Sequence, residues 1–111
     1  MKNILFLDDD IFIIKAYKRK LRTLNANIFY TSTTLEATEL LKSESIDILF
    51  IDLNLEECTG IEFMDNNLTI IPEEIYLVTG ANYTIEKNNS LINDVILKPI
   101  NYTKVIDLIL N

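Results

Sequence analysis

Histidine is missing from the sequence altogether. Its absence excludes serine–histidine and cysteine–histidine catalysis, histidine metal sites and a self-contained phosphohistidine donor. Any chemistry must therefore rest on carboxylates, hydroxyls and amines. The one cysteine, Cys58, has no partner for an internal disulfide, and the chain opens on a short mixed segment rather than a charged-then-apolar signal peptide. Both features lead to the expectation of a cytoplasmic protein. No apolar run exceeds four residues, far short of the roughly 20 a membrane helix requires, so no membrane partner is expected. Bases are scarce too, 10 against 17 acids for a net charge of −7. Phosphate backbones are bound by clustered Lys and Arg, so this balance argues against direct nucleic-acid binding.

What is present suits one small folded unit. With 49% apolar and 24% charged residues in 111, the chain is too hydrophobic for disorder and should bury about 65% of its extended-chain surface. No Pro-, Ser- or Gly-rich linker, repeat or low-complexity tract marks a boundary, and residues 1–111 are expected to form one domain. Segments 4–7, 46–51 and 75–78 are short runs rich in β-branched and aromatic residues, too continuous to alternate, of the kind that fill parallel strands buried on both faces, and 28–30 and 95–97 are weaker versions. Between them, Ile11, Ile14, Tyr17, Leu21 and Leu24 recur at helical spacing, as do Leu35, Thr38 and Leu41, and later Val105, Leu108 and Ile109. Thr33 or Thr34 with a following glutamate supplies a helix start, and a short third helix is predicted at about 61–68, before Pro72. A fourth helix between the last two strands completes the alternation. Strand–helix alternation of this kind implies an α/β architecture, a parallel sheet covered by helices on both sides.

Ligand groups in such sheets gather at the carboxyl edge. Strand one delivers Asp8, Asp9 and Asp10 there, strand three Asp52, strand four Thr79, and strand five Lys98 followed by Pro99. Crowded carboxylates hold their protons unless a cation compensates them, and an oxygen-only cluster with room for water suits Mg²⁺. A lysine can neutralise a phosphoryl oxygen and a threonine hydroxyl can donate to another. Aspartate nucleophile, Mg²⁺, hydroxyl and amine together describe phosphoryl transfer to a carboxylate. One acid is enough to cap the first helix, and Asp10 is read as that cap. Gly60 and Gly80 fall at the same edge, and Cys58, near it, has no basic neighbour to activate it.

Four segments, Ile4-Leu5-Phe6-Leu7-Asp8-Asp9-Asp10, Leu49-Phe50-Ile51-Asp52-Leu53-Asn54, Leu77-Val78-Thr79-Gly80 and Ile96-Leu97-Lys98-Pro99, occur in this order at matching strand ends. With them the whole chain resembles the receiver domain of two-component response regulators. The resemblance implies a flavodoxin-like (βα)5 three-layer sandwich with strand order 2-1-3-4-5. It implies Asp52 as phosphoacceptor, taking its phosphoryl group from a phosphohistidine on a sensor histidine kinase or phosphotransfer protein. It implies Mg²⁺ held by Asp8, Asp9, Asp52 and the backbone carbonyl of Asn54. Thr79 would bind the phosphoryl group, Lys98 would pair with it across a Lys98-Pro99 peptide that is commonly cis, and Gly60 and Gly80 would let nearby loops approach. The output would be a changed surface rather than turnover of a metabolite, so no enzyme in the ordinary sense is expected.

The chain also departs from the family pattern. The usual proline four residues after the phosphoacceptor is Glu56, which predicts a more mobile loop over 55–59. The aromatic residue usual three before the lysine is Val95, which bears on the common threonine–aromatic switch, and the spacings from Asp52 to Thr79 and from Thr79 to Lys98 are short. Ala81 leaves space beside the phosphoryl group. Two other functions compete: a pseudo-receiver that binds partners without phosphorylation, and a haloacid-dehalogenase-type phosphatase with Asp8 as nucleophile in an Asp-x-Asp pattern. The phosphatase reading lacks the expected residue at Phe12 and leaves Asp52 unexplained. Half of the bases, Lys15, Lys18, Arg19, Lys20 and Arg22, crowd the first helix. That face is either solvated or a docking surface for an acidic kinase surface. A homodimer is a further partnership the resemblance admits, and the chain is either a stand-alone regulator or a piece of a longer one.

Overall fold

The computed structural model describes residues 1–80 and 90–111. Its strands β1 (Asn3–Leu7), β2 (Asn27–Thr31), β3 (Ile48–Asp52), β4 (Glu74–Thr79) and β5 (Asp94–Leu97) form one sheet in the order β2-β1-β3-β4-β5. Every neighbouring pair is parallel. This is the flavodoxin-like order expected from the sequence.

The helices are α1 (Ile11–Leu21), α2 (Thr34–Ser43), α3 (Gly60–Asp65) and α4 (Tyr102–Leu110). Each begins at a side chain that accepts from an orphan amide of the first turn: Asp10, Thr33, Thr59 and Asn101. At Thr59 the arrangement is reciprocal, because Glu62 reaches back to the Thr59 amide. The two-residue period of the strands sorts the apolar side chains into two layers. Ile4, Phe6, Ile48, Phe50, Tyr76 and Val78 pack with Ile14, Tyr17 and Leu21 of α1 and Val105 and Ile109 of α4. Leu5, Leu7, Leu49, Ile51, Ile75 and Leu77 pack with Ala37 and Leu41 of α2 and Phe63 and Met64 of α3. Both faces are therefore dry, which is why β3 is buried at every position and why the central strands read as unbroken apolar runs.

Several boundaries differ from the sequence reading. β3 begins at Ile48 rather than 46, and Asp47 just before it accepts from the Asn3 amide through its carboxylate at 2.7 Å. α3 stops at Asp65 rather than about 68, where the Asn67 side chain caps the Phe63 carbonyl at 2.7 Å. α1 stops at Leu21, and Leu24 closes a turn on its carbonyl at 3.1 Å. The helix expected between β4 and β5, with Ala81, lies outside the described residues.

Candidate functional site

The strand order reverses direction of growth at β1, so the carboxyl ends of β1 and β3 lie side by side with a crevice above them. Asp8, immediately after β1, and Asp52, the last residue of β3, are both buried, at 2% and 6% of full exposure. Buried carboxylates need compensation, and Lys98 supplies it from the end of β5. Its Nζ lies 3.1 Å from Oδ2 of Asp8 and 3.5 Å from Oδ2 of Asp52. The lysine reaches across from beyond β4 because its backbone is tied there: the Lys98 amide donates to the Thr79 carbonyl at 2.8 Å. The Lys98-Pro99 peptide is cis. Thr79 itself is fully buried at the end of β4.

Burial raises the Asp52 carboxyl to about 6, the adjacent Asp8 charge adds to the rise, and Lys98 and the Asn54 amide oppose it. Asp8 is likewise raised, by burial first, against the pull of the Asp10 amide and Lys98. For Lys98 burial acts downward, but the two carboxylates more than offset it and the ammonium is held above its ordinary value. Among the described residues one cation thus serves these two acids. Asp9, exposed beside them, completes a cluster: Asp8, Asp9 and Asp52 each offer a carboxylate oxygen within 4.8 Å of the others. All three donors are hard oxygens and one side of the cluster is open to water, a set that fits a small divalent cation keeping part of its hydration shell. Asp10 stands apart, since its Oδ1 accepts from the Phe12 amide at 2.9 Å as the helix cap expected for it.

The loop after β3 is tied by hydrogen bonds although Glu56 stands where a proline is usual. Asn54 and Thr59 form an antiparallel bridge, the Leu55 amide donates to Cys58 at 3.1 Å, and the Gly60 amide donates to Leu53 at 2.7 Å. Glu57 ties the loop to α2 by accepting from the Thr34 hydroxyl at 2.7 Å. These backbone bonds do the work a proline's fixed torsion would otherwise do. A side chain at Gly60 would bring its Cβ to 2.5 Å from the Asp52 carbonyl oxygen, so glycine is what lets α3 begin against the site. At Gly80 a Cβ would meet only the Lys98 Cβ, at an ordinary 3.9 Å, so among the described residues nothing requires glycine there.

Other readings resolve as follows. Cys58 is half-buried, and burial with the charges of Glu62 and Glu57 raises its thiol, which disfavours the reactive thiolate. Val95 is a half-buried part of the α2–α3 layer. The four bases of α1 and Arg22, which follows it, are all exposed. Two contributors escaped the sequence reading. Thr31 is buried and fixes the end of β1 by donating to the Phe6 carbonyl at 2.9 Å, while its own carbonyl accepts from the Asp8 amide at 3.1 Å. The Glu57–Thr34 tie joins residues 23 apart, and no local pattern announces it. No helix among the described residues is long and apolar enough to cross a membrane.

Solved structures with the same fold include a response regulator receiver domain from Methanospirillum hungatei, 24% identical, covering 98% of this chain and 90% of that one with a TM-score of 0.84. A receiver domain from Clostridium thermocellum is 20% identical over 100% of this chain and 93% of that one, with a TM-score of 0.85. A response regulator from Burkholderia pseudomallei, solved with a phosphorylated aspartic acid, a calcium ion and citrate, is 21% identical and has a TM-score of 0.80. The comparison covers 96% of this chain and 65% of that one. No curated protein sequence matches. The sequence itself matches the response regulator receiver domain family over residues 4–110. The phosphatase alternative gains nothing from these findings, and the second acid of its pattern, Asp10, is spent capping α1. With the paired strand-end acids, the reaching lysine and the sheet order in place, that match over nearly the whole length establishes that the chain belongs to the response regulator receiver domain family.

Proposed function

We propose that residues 1–111 act as one phosphoacceptor domain, with Asp52 as the residue modified. The supporting observation is the sharing of Lys98 between two buried carboxylates, one of which, Asp52, ends the central strand and opens toward Asp9 and water. A carboxylate oxygen of Asp52 attacks phosphorus as the P–N bond of a partner's phosphohistidine breaks. The departing imidazole nitrogen keeps the bonding pair and is protonated from solvent. Mg²⁺, held by Asp8, Asp9, Asp52 and the backbone carbonyl of Asn54, would offset charge on the transferring phosphoryl oxygens. Lys98 pairs with a second phosphoryl oxygen once Asp52 carries the acyl phosphate, and Thr79 donates to a third. The new charge at this edge draws Thr79 toward it and shifts the adjoining surface between two arrangements, which is the output. The domain catalyses only its own phosphorylation and dephosphorylation, and its phosphoryl source is a histidine kinase or phosphotransfer protein.

The test is intact mass after incubation with Mg²⁺ and acetyl phosphate. The expected result is a gain of roughly 80 Da in the wild type. Asp52→Asn should show none. A gain that persists in Asp52→Asn moves the acceptor to the strand-one acids, and no gain in a folded, Mg²⁺-binding protein leaves the chain a pseudo-receiver.

A further inference from the structure

A second feature lies away from the carboxylate cluster and does not depend on it. β2 is an edge of the sheet, and its sequence, Asn-Ile-Phe-Tyr-Thr, carries neither a charge nor a proline. Exposed edges are ordinarily blunted by such residues, because their free amides and carbonyls invite another strand. The ladder identifies which groups are free. The Asn27 amide donates to Lys2 at 2.9 Å and the Thr31 carbonyl accepts from Asp8 at 3.1 Å, so the odd-numbered residues face β1. Ile28 and Tyr30 therefore turn their backbone groups outward.

The side chains of these same two residues, with Leu21, Leu24 and Ala26, floor an open groove of about 290 Å³ between α1 and β2. Pockets that enclose small molecules run from about 300 to 1,000 Å³, so this groove seats only a few side chains of a longer ligand. Its remaining lining is cationic. Lys18 and Arg22 border it, and the Lys18 ammonium sits 5.7 Å from the centre of the Tyr30 ring. No acid is among the lining residues, in a chain of net charge −7.

We propose that the β2 edge and this groove dock an extended acidic segment of a partner polypeptide, which joins the sheet as a sixth strand. Its backbone pairs with Ile28 and Tyr30, an apolar side chain enters the groove, and flanking carboxylates meet Lys18 and Arg22. A second copy is a poorer occupant. Antiparallel pairing of two β2 edges about a two-fold axis sets the α1 helices side by side, opposing the four bases of each helix and the Arg22 that follows it to the same set on the other copy. Nucleic acid would satisfy the cations and leave the apolar floor and the edge amides without a counterpart.

The probe is a fluorescein-labelled peptide of about seven residues that alternates threonine with glutamate, valine and glutamate, so that one face presents acid, apolar and acid. Anisotropy measures its binding to the unphosphorylated protein, and NMR hydrogen exchange reports the Ile28 and Tyr30 amides. The expected result is saturable binding that slows exchange at both amides and weakens with salt. Lys18→Glu with Arg22→Glu, two exposed positions, should lower affinity about tenfold with the circular dichroism spectrum unchanged. The proposal is overturned if the peptide does not bind, or if it binds without slowing those amides. It is overturned equally if the lysine-substituted peptide binds as well, if oligothymidylate binds more tightly, or if the amides are already protected by concentration-dependent dimerisation.

Discussion

Asp52→Asn should make the metal-free protein more stable at neutral pH. The Asp52 carboxyl rises from 3.8 to about 6 in the folded state, chiefly through burial and then through Asp8. A folded group that holds its proton more tightly than the unfolded chain does contributes stability that is complete below 3.8 and lost as pH climbs through about 6. Two pKa units correspond to about 3 kcal/mol, and the Asp52 side chain is only 8% exposed, so solvent screening does little to reduce this. The amide keeps the shape and hydrogen-bonding reach of the acid without its charge, and Lys98 keeps Asp8 as a partner at 3.1 Å. Urea unfolding followed by circular dichroism in EDTA, from about pH 4 to pH 7.5, should show the variant's advantage growing across that window to about 2–3 kcal/mol. With a urea slope of about 1.5 kcal/mol/M, the midpoint moves by about 1.3–2 M. Because other acids titrate in both proteins, the quantity to follow is the difference between them. A difference that does not change with pH, or a variant less stable than wild type at pH 7, would refute the claim that the site is held at the expense of the fold.

Lys98→Met should act in the opposite sense, destabilising by about 2–3 kcal/mol at pH 7 in EDTA and by less at pH 4, where Asp52 is protonated; urea midpoints at both pH values check this. Adding Mg²⁺ should raise the wild-type melting temperature, by about 1.4 kcal/mol of stability at ten times its dissociation constant, and should do so far less for Asp9→Asn, an exposed position that leaves the buried pair intact. Gly60→Ala must displace the Asp52 carbonyl that its Cβ would meet at 2.5 Å and should cost more than about 2 kcal/mol, whereas Gly80→Ala, which meets only an ordinary contact among the described residues, should stay within about 0.5 kcal/mol; thermal unfolding of the pair checks this. Thr33→Ala should cost about 1 kcal/mol in the same assay through loss of the cap at the Glu36 amide, without altering Mg²⁺ binding.

Much of the architecture was legible because its determinants are local or periodic. The unbroken apolar runs of β1, β3 and β4 announce strands covered on both faces, and the three- and four-residue spacing of Ile14, Tyr17 and Leu21 announces the buried stripe of α1. Asp10 could be recognised as a cap, and the second helix start narrowed to Thr33 or Thr34, because a cap acts within three residues of itself. The acids, the hydroxyl and the lysine at four strand ends could be read as one site only because parallel strands in an α/β sheet all end on the same edge. The order of the chemistry along the chain was therefore already an order in space.

Distances between non-neighbours lie outside such patterns. That one ammonium spans Asp8 and Asp52, 90 and 46 residues away, depends on how the sheet places β5 two strands from β3, which no spacing records. The Glu56 loop illustrates the same limit: losing a proline reads locally as freedom, yet Glu57, Thr34 and the Asn54–Thr59 bridge close the segment through contacts with other elements. Only the assembled fold distinguishes Gly60, pressed against a carbonyl, from Gly80, and only the sheet order makes β2 an edge with a basic-rimmed groove beside it. The sequence by itself determined which groups stand at the strand ends, since periodicity and capping act over a few residues. The tertiary structure decided which of them share a cation, which lose their water and which edge is left unpaired, since burial and Coulomb forces act between residues that only folding brings together.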